Sequence, residues 1–316
     1  MKVLVLGGSG FVSGGMVRLG MGRGDEVWMV TRGKRAVGGG AVGEGVGVLT
    51  ADRNDAAGFE RVVAGAGGEA GVVWDLVIDC IGFTAEHARQ DVAVFGEGRR
   101  AKWLVFLSSD FACSPIDRPW RIDETFDRFD TAPYGAGKRA AEEVLLAYKG
   151  AVGGEMGVTV IRPCHIYGPG SLLGCLPLHG RDAELLSRIR RGEELKLLAG
   201  GVFLQQPMFV DDLCAMAYGC AGNEKARGNL FFAAGPEIVE SRTFYQVIGD
   251  ILGMPVRIGE ASMAEYLATN PEHRAFCCHR VYDRGKAERA GLPLPATGLR
   301  EGLSRHVAWL ESQAGR

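Results

Sequence analysis

The 316-residue sequence predicts an α/β fold with a doubly wound parallel sheet and a smaller C-terminal lobe. Apolar runs of strand length recur with helix-length stretches between them, an alternation that is typical of parallel sheets. The runs are almost continuous in Val, Ile, Leu and Phe, as expected for strands covered by helices on both faces. They lie at Val3–Leu6, Glu26–Val30, Leu76–Ile81, Trp103–Leu107 and Val158–Ile161.

The composition points to a globular protein with a small-molecule substrate. Hydrophobic residues make up 47% of the chain, which supports a large core, and 36 Lys and Arg nearly balance 38 Asp and Glu. We therefore expect neither a nucleic-acid partner nor a membrane partner. Eight cysteines occur without a Cys-x-x-Cys pair, so the sequence predicts no metal site and a cytoplasmic protein with reduced thiols.

The same alternation of apolar runs and helix-length stretches predicts the helices and the division into two lobes. Crossover helices are predicted at Thr84–Glu97 and Tyr134–Lys149, and after Gly170 the chain becomes richer in loops. We expect residues 1–169, with 207–234 returning to them, to form a dinucleotide-binding domain. Residues 170–206 and 235–316 are expected to form a substrate lobe over the carboxyl edge of the sheet, where open α/β sheets bind ligands.

A glycine-rich turn follows the first strand directly and precedes a predicted helix. Glycine permits a tight turn and lets backbone N–H groups and the helix N-terminus approach a pyrophosphate, so the turn indicates a Rossmann-type dinucleotide site. Gly7, Gly10, Phe11 and Val12 are the expected cofactor contacts, and Ser13 stands where a third glycine is usual. The alternative is a simple glycine turn without a ligand.

The end of the second strand bears on the choice of dinucleotide. Thr31 and Arg32 occupy the place where an NAD site normally has an acid for the ribose hydroxyl. Arg32, with Lys34 or Arg35, could pair with a 2′-phosphate, which favours NADP and leaves NAD possible. These cations could also form an ordinary solvated loop.

Two further segments at strand ends are expected to line the cofactor. Asp52 and Arg53, just after the third strand, are predicted to border the adenine. Ile81 and Gly82, which end the fourth run, are expected beside the rest of the dinucleotide.

Tyr134 and Lys138 lie four residues apart at the start of a helix, on one face. A phenol has a pKa of about 10, and a nearby cation would lower it, so that proton transfer with a carbinol becomes possible near neutral pH. Ser108 and Ser109 end the preceding strand, and either hydroxyl could donate to a substrate oxygen or merely form a turn.

Five motifs in this order resemble the extended short-chain dehydrogenases, the NAD-dependent epimerase/dehydratase group. They are Gly7–Gly14, Ser108–Asp110, Tyr134–Lys138, Arg162–Gly170 and Phe209–Leu213.

The resemblance implies a role for each catalytic residue. Ser109 would orient the substrate, with Ser108 as the alternative, Tyr134 would be the acid/base, and Lys138 would bind the nicotinamide ribose and tune Tyr134. Pro163 and His165 would lie beside the nicotinamide, with His165 also at the substrate. The family often forms dimers through the helices predicted at Thr84–Glu97 and Tyr134–Lys149, so a homodimer is possible.

The same resemblance implies a nucleotide-sugar substrate and bears on the reaction. Sugar-nucleotide 4,6-dehydratases carry an Asp-Glu pair after the serine, whereas this chain has Asp110 and Phe111, which disfavours that elimination while leaving both residues as expected substrate contacts. Arg280 is expected either to hold a nucleotide diphosphate or to form a surface ion pair. Gln206 either lines the pocket or only supports it.

Together these observations predict an NAD(P)-dependent oxidoreductase or epimerase that transfers a hydride, with Tyr134 as acid/base. The alternative is a non-catalytic protein that binds a dinucleotide or RNA, as in atypical relatives of the family. The presence of Ser109, Tyr134 and Lys138 argues against this alternative.

Overall fold

The computed structural model describes residues 1–33, 45–66, 71–148, 156–175 and 178–314. Its thirteen strands are β1 Lys2–Leu6, β2 Glu26–Thr31, β3 Gly47–Thr50, β4 Leu76–Asp79, β5 Trp103–Leu107, β6 Gly157–Pro163, β7 Ile166–Tyr167, β8 Glu194–Leu198, β9 Leu204–Gln205, β10 Met208–Phe209, β11 Asn229–Ala233, β12 Val239–Glu240 and β13 Arg257–Ala261. The helices are α1 Phe11–Gly22, α2 Ala56–Ala64, α3 Ala85–Asp91, α4 Pro133–Ala147, α5 Leu185–Arg190, α6 Val210–Gly219, α7 Ser241–Leu252, α8 Met263–Thr269, α9 Gly285–Arg289 and α10 Leu299–Ala314.

A seven-stranded parallel sheet forms the centre of the molecule, in the order β11-β6-β5-β4-β1-β2-β3. The strand order reverses between β1 and β4, and ligands of open α/β sheets bind at such a switch point. The predicted Rossmann-type fold class is confirmed.

Most predicted elements differ from the structure in their bounds, and two of the differences have a clear structural reason. The strand predicted to reach Ile81 ends at Asp79, because the Asp79 carboxylate accepts the Ile81 N–H at 2.8 Å and turns the chain. The helix predicted at Thr84–Glu97 is α3 followed by a π-helical turn at Val92–Glu97, with the Thr84 hydroxyl capping α3.

Hydrophobic cores cover both faces of the sheet, as the unbroken apolar strands predicted. Successive side chains of β1 point to opposite faces. Val3 and Val5 pack with α1 and α6, while Leu4 and Leu6 pack with α2 and α4.

A third core lies in the C-terminal part of the chain, where α5, α7 and α10 bury apolar faces against one another. Its members include Leu185, Ile189, Phe244, Ile248 and Leu303. Tyr167 and Phe209, from the short sheet of β7 and β10, belong to this core, and their rings meet edge to face at 5.6 Å. Among the described helices, none is long and apolar enough to span a membrane.

Candidate active site

The turn after β1 has a backbone that only glycine adopts readily. Gly7 and Gly8 have φ values of 114° and 109°, and a Cβ on Gly8 would lie 2.5 Å from the Met29 sulfur. The Ser13 hydroxyl accepts the Gly10 N–H at 3.1 Å, so the residue at the third-glycine position fixes the start of α1. The turn is therefore a rigid cradle at the carboxyl end of β1.

A cavity of about 420 Å³ opens beside this turn, and we call it the cofactor cavity. Of the predicted cofactor residues it is lined by Gly7, Gly10, Thr31, Arg32, Asp52, Arg53 and Ile81, together with Ser9, Ser13, Val30, Ala51, Asn54, Phe83 and His87.

The other predicted cofactor residues do not line this cavity, and Val12, Lys138, Pro163 and His165 line a neighbouring one. Phe11 and Gly82 are not part of the cavity lining, and Phe11 faces Gly170 instead. Lys34 and Arg35 lie outside the described residues.

Arg53 belongs to a buried charge network beneath the cofactor cavity. Its guanidinium lies 2.7 Å from Asp79 and 2.6 Å from Asp91, and also donates to the His87 carbonyl. Burial raises the pKa of Asp91 well above its usual value. Arg53 lines the cofactor cavity, but its charge is committed to these two acids.

A second cavity of about 410 Å³ adjoins the first, and we call it the substrate cleft. Phe83 lines both cavities, which therefore meet at its ring. The cleft is lined by Val12, Cys80, Phe83, Leu107, Ser108, Ser109, Asp110, Phe111, Tyr134, Lys138, Pro163, Cys164, His165, Ile166, Leu172, Gly174, Gly180, Arg181, Gln205 and Arg280.

The two serines at the end of β5 have different partners. The Ser108 hydroxyl donates to Glu142 at 2.6 Å, and Glu142 forms a buried ion pair with Arg162. The Ser109 hydroxyl accepts the Phe111 N–H at 3.2 Å, donates to Asp110 at 3.5 Å, and lies near enough to the Tyr134 phenol to act on its pKa. Of the two candidates, only Ser109 therefore faces the phenol.

Tyr134 and Lys138 do not interact as the sequence predicted. Tyr134 is 49% exposed, and the partial desolvation of its phenol raises the pKa of Tyr134, although the Ser109 hydroxyl opposes the rise. Lys138 instead donates to the carbonyls of Gly82 and Leu107, each at 2.7 Å. Burial lowers the pKa of this ammonium to about 8. The expected lowering of the Tyr134 pKa by Lys138 is wrong for the ligand-free protein.

Asp110 and Arg280 form a buried ion pair at the wall of the cleft. The Arg280 Nε lies 3.0 Å from Asp110, which also accepts the Tyr282 hydroxyl. The guanidinium stacks over Phe111 at 4.1 Å. Arg280 is thus not in a surface ion pair, because its carboxylate partner is inside the protein. Asp110 reaches the cleft, as expected for a substrate contact, but two donors already occupy its carboxylate.

Of two residues predicted to contact substrate, His165 lies in the cleft lining and Gln206 does not. His165 lines the cleft beside Pro163, and its Nδ1 lies 3.2 Å from the Cys175 sulfur. Burial lowers the pKa of His165 to about 3, so it is neutral at physiological pH. Gln206 does not line the cleft, because its amide joins the Gly235 carbonyl and the Tyr282 N–H. Of the two roles open to Gln206, this geometry favours the supporting one, and the neighbouring Gln205 lines the cleft.

Sequence reasoning missed three residues of the site. Phe83 follows the carboxyl end of β4, a position that could have singled it out. Glu142 lies one helical turn after Lys138, so its spacing offered a signal on the same face of α4. Arg181 lies in a loop outside the five motifs, and the tertiary structure brings it to the cleft.

Comparison with protein families matches residues 3–229 to the NAD dependent epimerase/dehydratase family. No curated protein matches the chain.

Solved structures with the same fold include three nucleotide-sugar enzymes. One is a UDP-glucose 4-epimerase from Thermotoga maritima with UDP-glucose, at a TM-score of 0.76 and 18% identity over 99% of this chain and 100% of that one. Another is a UDP-glucuronic acid 4-epimerase from Bacillus cereus with NAD, at a TM-score of 0.74 and 12% identity over 99% and 97%. A dTDP-glucose 4,6-dehydratase from Bacillus anthracis with NAD has a TM-score of 0.76 and 16% identity over 100% and 98%.

Proposed function

The chain belongs to the NAD dependent epimerase/dehydratase family, and from this premise we propose an NAD(P)-dependent oxidoreductase or epimerase that acts on a nucleotide sugar. One observation carries the proposal. Ser109, Tyr134 and Lys138 line one cleft, and that cleft shares Phe83 with the cofactor cavity. This arrangement would put proton-transfer groups next to the cofactor cavity.

The cofactor cavity fits a dinucleotide in shape and in the donors it offers. The left-handed glycines leave the backbone of the turn open to a pyrophosphate, and a side chain at Gly8 would collide with Met29. Gly7 and Gly10 would hold the pyrophosphate, and Asp52 would border the adenine. We propose that Arg32, at the far end of the cavity, favours a 2′-phosphate and hence NADP, with NAD as the alternative.

Tyr134 would exchange a proton with the substrate oxygen while Ser109 holds that oxygen by a hydrogen bond. When bound, the nicotinamide supplies the acceptor or donor of a hydride at the carbon that bears this oxygen. Because its pKa is raised, Tyr134 is protonated near neutral pH and is ready to donate to a keto oxygen. For the reverse step the pKa of Tyr134 must fall, and the Ser109 hydroxyl and the charges of Arg181 and Arg280 act in that direction.

The surroundings of Asp110 favour epimerisation or reduction over 4,6-dehydration. Elimination of water needs a free acid and a base beside the reacting sugar. Asp110 is held by Arg280 and Tyr282, and the next residue is Phe111, which cannot transfer a proton. We therefore propose a reaction that needs only hydride transfer and the proton exchange at Tyr134.

The remaining features of the proposal concern architecture. We propose that residues 170–206 and 235–316 form the substrate lobe, since Arg181, Gln205 and Arg280 from this part of the chain line the cleft. A homodimer stays a prediction from the family resemblance.

The test is Tyr134→Phe, compared with Tyr266→Phe as a matched control. The Tyr266 hydroxyl bonds to His273, and Tyr266 is not part of the cleft lining. Loss of the Tyr134 hydroxyl removes the acid/base, so turnover of a nucleotide-sugar substrate should fall about 10²-fold or more. Dinucleotide affinity, measured by NADPH or NADH fluorescence, should stay within about twofold, since Tyr134 does not line the cofactor cavity.

The control should retain both turnover and binding. Unchanged turnover in Tyr134→Phe would remove Tyr134 from the mechanism. Failure of the wild-type protein to bind either dinucleotide would favour the non-catalytic alternative.

A further inference from the structure

His87 is a polar residue of the cofactor cavity that has no part in the proposed reaction. The segment after β4 contributes Ile81, Phe83 and His87 to the described lining of this cavity. Ile81 and Phe83 are apolar, so His87 is the only residue of that segment, within the described lining, whose side chain can form a hydrogen bond. The cations of the lining are placed otherwise, since Arg53 is held by two acids and Arg32 follows β2 on the other side of the glycine turn.

Local contacts fix both the His87 ring and the position of its proton. The ring Nδ1 accepts the Phe83 N–H at 3.1 Å. Because a backbone amide can only donate, Nδ1 carries no proton, and the neutral ring holds its proton on Nε2. The backbone of His87 is held as well, since its carbonyl accepts from Arg53 at 2.7 Å and its N–H donates to the Thr84 hydroxyl at 3.4 Å. The imidazole is thus a fixed donor at Nε2.

The Nε2 donor is available to a ligand. No residue within the described parts of the chain forms a hydrogen bond with it, and the side chain is partly exposed. Partial burial and the charge of Arg53 lower the pKa of His87, so the ring is neutral near pH 7 and keeps this tautomer. A ligand in the cofactor cavity therefore meets an N–H group at this position and not a lone pair.

We propose that the Nε2–H group of His87 donates to a phosphate oxygen of the dinucleotide, across the cofactor cavity from Gly7 and Gly10. The glycine turn follows β1, and β4 is the neighbour of β1 in the sheet, so a pyrophosphate on the turn is the part of the ligand next to His87. The adenine, expected beside Asp52 after β3, would lie two strands beyond β1 on the far side. Hydrogen bonds to ionised acceptors are stronger than neutral ones. The proposal rests on the dinucleotide binding in the proposed function and is independent of the reaction.

The experiment measures the Kd values of adenosine, AMP, ADP and NADH by NMR titration of protein labelled with 15N at histidine. Adenosine has no phosphate, AMP has one and ADP has two, so the series separates contacts to phosphate from contacts to adenine. His87→Phe keeps a ring but removes the donor, and it should raise the Kd of ADP and of NADH about tenfold while adenosine stays within about twofold. His87→Gln, whose amide N–H can take the place of Nε2–H, should recover part of the affinity for ADP.

The histidine signals in the same titration report on the contact itself. The free protein should show His87 as the Nε2-protonated tautomer, and ADP should shift the Nε2 signal whereas adenosine should not. The signal that is missing from His87→Phe identifies His87 among the six histidines. A loss of local structure in the variants would not produce a phosphate-dependent shift at Nε2 of the wild type.

His273→Phe is the matched control. The Nδ1 atom of His273 bonds to the Tyr266 hydroxyl, and His273 does not belong to the described lining of the cofactor cavity. Its substitution should leave the affinity for all four ligands unchanged.

Three results would overturn the proposal: unchanged affinity for ADP in His87→Phe, equal losses for adenosine and ADP, and a His87 ring protonated at Nδ1. Equal losses would assign His87 to the adenine instead. If the wild type binds neither ADP nor NADH, the dinucleotide binding of the proposed function fails together with the role of His87. Unchanged turnover in Tyr134→Phe contradicts only the proposed mechanism, because His87 is tested by binding.

Discussion

Replacement of Lys138 by methionine should stabilise the fold at neutral pH while it abolishes turnover. The ammonium is only 2% exposed, and burial lowers its pKa from 10.5 to about 8. At about 1.4 kcal/mol for each pH unit, this fall corresponds to about 3 kcal/mol of cost for holding the charge inside the protein at pH 7. Methionine has nearly the same length and no charge, so it avoids this cost.

Part of this gain in stability is lost in Lys138→Met, because the carbonyls of Gly82 and Leu107 lose the ammonium that donates to them. An unsatisfied buried acceptor costs about 1 kcal/mol or more. We therefore expect Lys138→Met to raise the free energy of unfolding by about 1 kcal/mol at pH 7. Urea denaturation followed by circular dichroism measures this difference.

The pH dependence of this stability difference tests the reasoning more sharply than its value at pH 7. Between pH 8 and 10.5 the unfolded chain holds the Lys138 proton while the folded chain has released it, so the wild type gains stability as pH rises. Lys138→Met lacks this gain, so its stability advantage over the wild type should shrink or reverse by pH 10. A variant that is less stable at pH 7, or a difference that does not change with pH, would refute the reasoning.

Two further predictions concern the cofactor cavity. Gly8→Ala should lower the free energy of unfolding by about 2 kcal/mol and abolish dinucleotide binding, since it combines a φ of 109° with a collision against Met29. Gly22→Ala, where a Cβ meets nothing within 4 Å, should leave both unchanged in the same denaturation and fluorescence assays. Arg32→Ser should raise the Kd for NADPH about tenfold and leave NADH within about twofold, by loss of a charge-assisted contact. Equal effects on both dinucleotides would show that Arg32 does not select the phosphate.

Local signals in the sequence were sufficient for the fold class and for the position of the cofactor cavity. The apolar strands and the glycine turn are features of contiguous residues, so their meaning does not depend on distant parts of the chain. The order of Ser109, Tyr134 and Lys138 along the chain likewise pointed to one edge of the sheet, because parallel strands end at the same edge. The structure brings all three to the substrate cleft.

The sequence by itself thus determined the Rossmann-type sheet, the glycine turn after β1 and the choice of Ser109, Tyr134 and Lys138, which line one cleft. Tertiary structure alone decided which partners those residues have. It turned Lys138 to backbone carbonyls, paired Arg280 with Asp110 across 170 residues, gave Gln206 a supporting role and brought Arg181 to the cleft. The reason is physical: the charge and pKa of a buried group depend on desolvation and on neighbours within a few ångströms, and those neighbours come from distant segments.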